Sequence, residues 1–358
     1  MAYFPGLGVV LVGGTTDGSN AILDSTDGSH AATWVWNGAT WAKLAPATEA
    51  PAGWGCALAY DSNRNVLVYI PARGPAGILD GIYAEFDGTT WTVYSGAGDY
   101  EYAPPGQSMA YDKHRQKMVY YSNNSNFRTY ATYELNATSH TWSAIITNVQ
   151  PPYASQGTSL VYDEIRELIY AVGPDGSGTP TYLFSYDGTA WTQVAAAPPP
   201  DIAIDGQVYL ATAWDPIIGK FILKTNTHTW TFDGTTWTQL ALTSEGFSMS
   251  GVTAAAAMAY DIANRKMVLF GGANPSLNNS TFVLYDPVVL LSIAISGGPI
   301  VTRVPCPFSA IGTYSDGSTT NITTQVTWTT SNPLFATIDS NGVVTGYGDG
   351  PVRIGCSL

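Results

Sequence analysis

A tryptophan returns roughly every fifty residues through most of this 358-residue chain. Each follows a short polar turn: Trp41, Trp91, Trp142, Trp191 and Trp237 close the segments NGATW, DGTTW, ATSHTW, DGTAW and DGTTW. A second mark keeps the same beat, at Tyr60-Asp61, Tyr111-Asp112, Tyr162-Asp163, Trp214-Asp215 and Tyr260-Asp261. Self-similarity at a fixed period means one supersecondary unit copied around an axis, and this period has the length of a four-stranded propeller blade.

Aligned copies show four extended segments per unit. The first is small and ends in Ala-Tyr-Asp, as in GCALAYD and AAAAMAYD, which suits the crowded axis of a ring. The second is apolar (Val66–Ile70, Met267–Phe270), the third is aromatic and runs into Asp-Gly or Asn-Gly, and the fourth begins at the recurring Trp. Asp-Gly and Asn-Gly supply the positive φ angles of tight hairpins. Pro-rich connectors such as 45–52 and 196–201 separate the units, where Pro ends one strand and turns the chain toward the next. Six units are read, with Met1-Ala2-Tyr3 aligned on Met258-Ala259-Tyr260. The sixth has no Trp strand, which predicts a three-stranded blade or one completed by a later segment.

The apolar strand ending in Gly-Gly (Gly13-Gly14, Gly271-Gly272), the aromatic third strand and the Trp of the fourth resemble a Kelch-type β-propeller over residues 1–287. The middle copies depart from it, with Ile70-Pro71, Ser122-Asn123 and Gly173-Pro174 in place of Gly-Gly. Residues 288–358 change pattern. Tyr314-Ser-Asp-Gly317, the strand Val326–Trp328, Ser-Asn-Pro at 331–333, Ala-Thr-Ile at 336–338 and Asn-Gly-Val-Val-Thr-Gly at 341–346 resemble the bacterial Ig-like group 2 domain. Alternating strands between closely spaced turn signals point to a β-sandwich as well. The expected fold is therefore all-β: a six-bladed Kelch-like propeller followed by a small Ig-like sandwich. Cys306 and Cys356 fall at inward-facing parities on strands expected to run antiparallel. A disulfide between them and two buried thiols are the alternatives.

Charged residues make up 11% of the chain and its formal charge is −13. That balance argues against a nucleic-acid partner, which demands a basic face, and against an anionic membrane surface. No apolar run approaches the roughly eighteen residues of a membrane helix, so no membrane insertion is expected. The opening MAYFPGLGVVLVGG lacks a basic n-region and a cleavage site, and it reads as part of the first repeat.

Chemistry is harder to find. The four histidines, His30, His114, His140 and His228, occupy unrelated repeat positions with no metal spacing and read as solvated loop residues. A copper-radical centre would need paired His and Tyr ligands with a Tyr–Cys cross-link, and the propeller's one cysteine, Cys56, is read as lying within a strand. The repeated acids Asp61, Asp112, Asp163, Asp215 and Asp261 read as turn residues accepting backbone N–H bonds. Non-repeated acids (Asp80, Glu85, Asp99, Glu101, Asp175, Asp201, Asp205) are better catalytic candidates, but nothing pairs any two of them. The Asp-rich insertion 15–30 lacks the spacing of a calcium loop. No cofactor or metal is expected.

The remaining binding signal is aromatic: Tyr94, Tyr100, Tyr102 and Tyr153, placed for stacking on sugar rings or for covering blade ends. The expectation is a non-enzymatic virion or extracellular-surface protein. The Ig-like resemblance implies a phage tail, fibre or capsid-decoration component, or an adhesin. Its partners would be other virion or surface proteins, or a host-surface glycan. The alternatives are a carbohydrate-active enzyme on the propeller face and a secreted bacterial adhesin.

Overall fold

The computed structural model describes residues 1–13, 30–52, 56–71, 73–74, 77–78, 81–98, 109–124, 129–152, 158–174, 181–196, 199, 210–225, 227–240, 256–271, 281–285, 289–315 and 317–358. Two compact units emerge, Met1–Tyr285 and Asp286–Leu358. Among the described residues every regular element is a β-strand.

The larger unit is a β-propeller. Its first blade comprises Ala2–Phe4, Gly8–Val12, Thr33–Trp36 and Trp41–Lys43, and its second Ala57–Asp61, Val66–Ile70, Tyr83–Phe86 and Trp91–Tyr94. The third holds Met109–Asp112, Lys117–Asn124, Thr129–Asn136 and Thr141–Ile145. Ser159–Asp163, Leu168–Pro174, Thr181–Tyr186 and Trp191–Gln193 form the fourth. The fifth is Ala211–Asp215, Lys220–Lys224, Thr229–Phe232 and Trp237–Gln239. Ala256–Asp261, Lys266–Gly271 and Thr281–Tyr285 make the sixth sheet, three-stranded among the described residues. Each blade is an antiparallel meander. The first strand of each blade touches the first strands of its two neighbours, and the sixth returns to the first, so these strands form the inner ring.

Two repeated turns fix the meander. In the turn after the first strand, the carboxylate of Asp61 accepts the backbone N–H groups of Asn63 and Arg64, and Asp163 and Asp215 do the same two and three residues on. The fourth residue after that Asp takes a positive φ in every blade where a side chain stands there: Asn65, Gln116, Glu167 and Arg265 lie between 53° and 57°. In the third-to-fourth hairpin, Asp87, Asp187 and Asp233 each accept two backbone N–H groups and a Thr hydroxyl. The fourth strand then begins at Trp, or in the third blade one residue before it, and the Trp is in register with an apolar partner: Trp36↔Trp41, Phe86↔Trp91, Leu135↔Trp142, Tyr186↔Trp191 and Phe232↔Trp237.

All five repeating tryptophans stand on outermost strands, as expected. Their indoles join a blade to the one before it. Trp91 donates to Thr33 Oγ1 at 2.9 Å, Trp191 to Thr132 Oγ1 at 2.8 Å and Trp41 to Thr281 Oγ1 at 2.7 Å. The last of these links the first blade to the sixth. The core consists of six apolar clusters between adjacent blades, such as Val9, Trp36, Ala259 and Val268 at the sixth-to-first junction.

The smaller unit is a two-sheet structure. Leu290–Gly297, Cys306–Tyr314, Val343–Gly346 and Ala336–Ile338 form one sheet, with Thr319–Asn321 also paired to Cys306–Tyr314. Thr327–Thr330 and Ile354–Ser357 form the other. Ala310, Ile322 and Val326 are buried at its centre, with Trp328 and Cys356 packed against them. Cys306 and Cys356 are both free thiols, so the disulfide offered as one alternative is not formed. The final strand does not run beside Cys306. It pairs with Thr327–Thr330 in the opposite sheet, setting Cys356 across from Trp328, while Cys306 pairs with Val344 and its thiol approaches the Gly298 carbonyl at 3.6 Å. Burial raises the pKa of the Cys356 thiol, which favours the protonated form.

Candidate functional site

The alternation of the inner strands determines what surrounds the propeller axis. Residues one before the turn Asp are Tyr60, Tyr111, Tyr162, Trp214 and Tyr260, and Tyr3 holds the same position in the first blade. Six aromatic side chains, one from each sheet, thus ring one end of the axis, each packed into a junction between blades, with Tyr111 and Tyr260 buried there. They line a cavity of about 320 Å³. The lining runs from Ser62, Lys113, Glu164, Pro216 and Ile262, one residue past the turn Asp, back to Met1, Leu58, Met109, Leu160, Thr212 and Met258, three residues before that position. The volume falls at the low end of ligand pockets, which span about 300–1,000 Å³.

Hydrogen bonds and packing hold the aromatic ring in place. Tyr60 donates to Asn65 Oδ1 at 2.7 Å, and its ring meets Phe4 edge-on at 5.7 Å. Tyr162 accepts the backbone N–H of His114, in the preceding blade, at 3.1 Å. Burial pushes the phenols of Tyr3, Tyr60, Tyr111 and Tyr162 up, reinforced at Tyr111 and Tyr60 by nearby Asp61 and at Tyr3 by Asp261. These side chains are neutral hydroxyl-bearing rings at any ordinary pH. At the lip, Lys113 Nζ meets Glu164 Oε2 at 3.3 Å, joining the third and fourth blades through two half-exposed side chains. The mouth is therefore apolar below, aromatic at its waist and electrically balanced at its rim.

The site residues expected from sequence fare differently. Tyr100, Tyr102 and Tyr153 lie outside the described residues, as do Asp80, Asp99, Glu101, Asp175, Asp201, Asp205 and most of the loop 15–30. Tyr94 is half-buried on the outer strand of the second blade, away from the axis. It stacks on its cross-strand partner Tyr83 at 4.8 Å and on His140 at 4.1 Å. His140, read as a solvated loop residue, is instead tied to Tyr83 Oη through Nδ1 at 2.8 Å. His114 is exposed and pairs with Glu167 at 3.1 Å. Cys56, read as lying within a strand, precedes it, with Sγ 2.9 Å from the Tyr69 hydroxyl.

Glu85, one of the non-repeated acids, has a structural partner. Arg64 bridges it to Asp61 with N···O distances of 2.6 and 2.7 Å, and Arg115 joins Glu134 to Asp112 in the same way. These arginines tie the inner turn to the third strand. Among the described residues no group of three or more His, Cys, Asp or Glu is arranged to hold a metal ion. Sequence reading missed the aromatic ring because Tyr-Asp was taken as a repeat marker. The signal was present, since a residue repeated once per blade near the end of the inner strand recurs at one level around the axis.

Comparison with known proteins bears mainly on the smaller unit. Residues 306–356 match the bacterial Ig-like domain (group 2). Over 84 residues the chain is 37% identical to Ice-binding protein 1 of Shewanella frigidimarina (strain NCIMB 400), a stretch that is 23% of this chain and 9% of that protein. The chain thus matches under a tenth of that relative's length. Among solved structures, the SapL1 lectin in complex with alpha methyl fucoside is similar with a TM-score of 0.47 and 15% identity, over 72% of this chain and 88% of the lectin. The Hadza microbial sialidase Hz136 gives 0.48 and 12%, over 71% and 59%. The periplasmic gluconolactonase PpgL of Pseudomonas aeruginosa gives 0.44 and 13%, over 97% and 99%.

Proposed function

We propose that this protein is a non-enzymatic surface or virion component that binds carbohydrate at the channel mouth, with a Kelch-type propeller as the binding head. The observation that carries the reading is the convergence of five tyrosines and Trp214 on one cavity. Sugar rings present apolar C–H faces that lie against aromatic side chains, and a Tyr offers a hydroxyl beside its ring. Such a pocket recognises without needing a reacting group. The group 2 Ig-like segment supports a setting among bacterial adhesins or phage tail, fibre and decoration proteins, and the phage setting is the one we favour. The host-surface glycan is then the partner reached by the propeller, and another virion protein the partner on the assembly side.

The test is a glycan array probed with the intact chain, followed by a hydrolysis assay on every sugar that binds. Binding without turnover is the expected result. Turnover of a bound sugar would make the protein a carbohydrate-active enzyme, and an array with no binder would remove the carbohydrate reading.

A further inference from the structure

We propose that the channel mouth is a socket for the terminal residue of an uncharged glycan, and that the Lys113–Glu164 ion pair sets its preference against anionic sugars. This rests on the carbohydrate reading above and specifies the ligand class at the same site.

The first half follows from shape. A groove that grips the middle of a polysaccharide is open at both ends, so that the chain enters and leaves. This cavity is walled on every side by inner strands from all six sheets, and its lining ends, three residues before each turn position, at Met1, Leu58, Met109, Leu160, Thr212 and Met258. At about 320 Å³ it is at the small end of ligand pockets and has no lateral exit between blades, because adjacent inner strands are in contact around the whole ring. A chain end fits such a space and a chain middle does not.

The second half follows from charge. Lys113 and Glu164 are the two charged side chains of the lining, paired at 3.3 Å, and burial lowers the pKa of the Met1 amino group in the same lining to about 6, which leaves it mostly uncharged at neutral pH. The phenols around them are held protonated by burial. The chain as a whole carries a formal charge of −13, which repels an anion before it arrives. A sugar carboxylate entering the mouth would meet a lysine already matched and a glutamate of its own sign.

The experiment uses the full chain and three sets of probes in titration calorimetry. These are neutral linear oligosaccharides of gluco, galacto, manno and fuco configuration, their cyclic or end-blocked counterparts, and uronic-acid-terminated equivalents. The linear neutral set is expected to supply the binders, with at least tenfold weaker binding once the ends are blocked. Trp214→Ala is expected to weaken binding of the same sugars at least tenfold. Glu164→Gln, a change at a half-exposed surface position, is expected to raise the ratio of acidic to neutral affinity about fivefold, the scale of one exposed charge pair.

End-blocked sugars binding as tightly as linear ones would overturn the socket while leaving carbohydrate binding intact. An unchanged ratio in Glu164→Gln would overturn the role of the ion pair. If none of the probes binds the wild-type chain, the carbohydrate reading itself falls, and this inference with it. Should Trp214→Ala fail to fold, the end-blocking comparison and the Glu164→Gln ratio still decide both halves.

Discussion

At the residue scale, five of the propeller's six blade junctions each hold one indole of the repeating tryptophans. The position that receives it lies three or four residues before the end of the preceding blade's third strand, occupied by Thr33, Tyr83, Thr132, Leu183 and Thr281. Where it is Thr, the indole N–H is bonded. Where it is Tyr83, Trp142 meets the ring edge-on at 6.0 Å. Where it is Leu183, the buried Nε1 of Trp237 has no hydrogen-bond partner among the described residues. Thr132→Val is therefore expected to strand the Trp191 N–H and destabilise the propeller by about 1–3 kcal/mol, the cost of an unsatisfied buried donor. Leu183→Val, which strands nothing, is expected to cost only the lost methylene, about 0.5–1.5 kcal/mol. Chemical denaturation of the two variants side by side checks the difference, and equal losses would show that the Thr hydroxyl is incidental.

At the scale of the element, the third-to-fourth hairpin does two jobs. Its Asp organises the turn, and its Gly receives the neighbouring blade. Hydrogen bonds from Thr hydroxyls and backbone N–H groups hold the carboxyls of Asp87, Asp187 and Asp233 below the usual carboxylate range. A depressed folded-state pKa contributes stability that is complete above the unfolded value, near 3.9, and is lost as pH falls through the folded value. The melting temperature is thus expected to hold from neutral pH to about pH 5 and to decline below about pH 4. A triple Asp→Asn variant at these sites is expected to show a shallower decline, and an identical acid slope would place the sensitivity elsewhere. Gly188 and Gly234 have φ of +95° and +92°, and a Cβ there would collide with the guanidinium ends of Arg115 and Arg166 from the preceding blade. Gly188→Ala combines backbone strain with displacement of an arginine bound to Asp112 and Glu134, and is expected to cost about 1–3 kcal/mol in the same denaturation assay.

These hairpins also show what could be read in the chain and what could not. Asp-Gly before Trp was legible because a tight hairpin needs those residue types locally. The turn role of Asp61 and its counterparts was legible for the same reason. Nothing local revealed that Glu85 would meet Arg64, since that contact depends on strand register across the blade. The stacking of Tyr94 on His140 crosses between blades and has no sequence signature either. In the smaller unit, the parity of Cys306 and Cys356 could not say which sheet the last strand would join, and the disulfide alternative failed on that point.

For the whole molecule, the decisive joint is between the sixth and first blades. Trp41 packs edge-on against Phe270 at 5.3 Å and bonds Thr281, so the outer strand of one blade is the clasp on the other. Trp41→Ala is expected to accelerate amide hydrogen exchange in Lys266–Gly271 and Thr281–Tyr285 while leaving the third and fourth blades protected. Uniform acceleration throughout would mean that the ring opens only as a unit. The same clasp sets an order in time. Trp91 and Trp191 find their threonines 58 and 59 residues away, but Trp41 waits for a partner 240 residues downstream. Closing so long a loop carries a larger entropic cost, and a ribosome delivers Thr281 last. Until then the growing chain is an open arc with an indole exposed at one end and a vacant threonine still to come at the other, the interval in which a nascent propeller is best able to join the wrong chain.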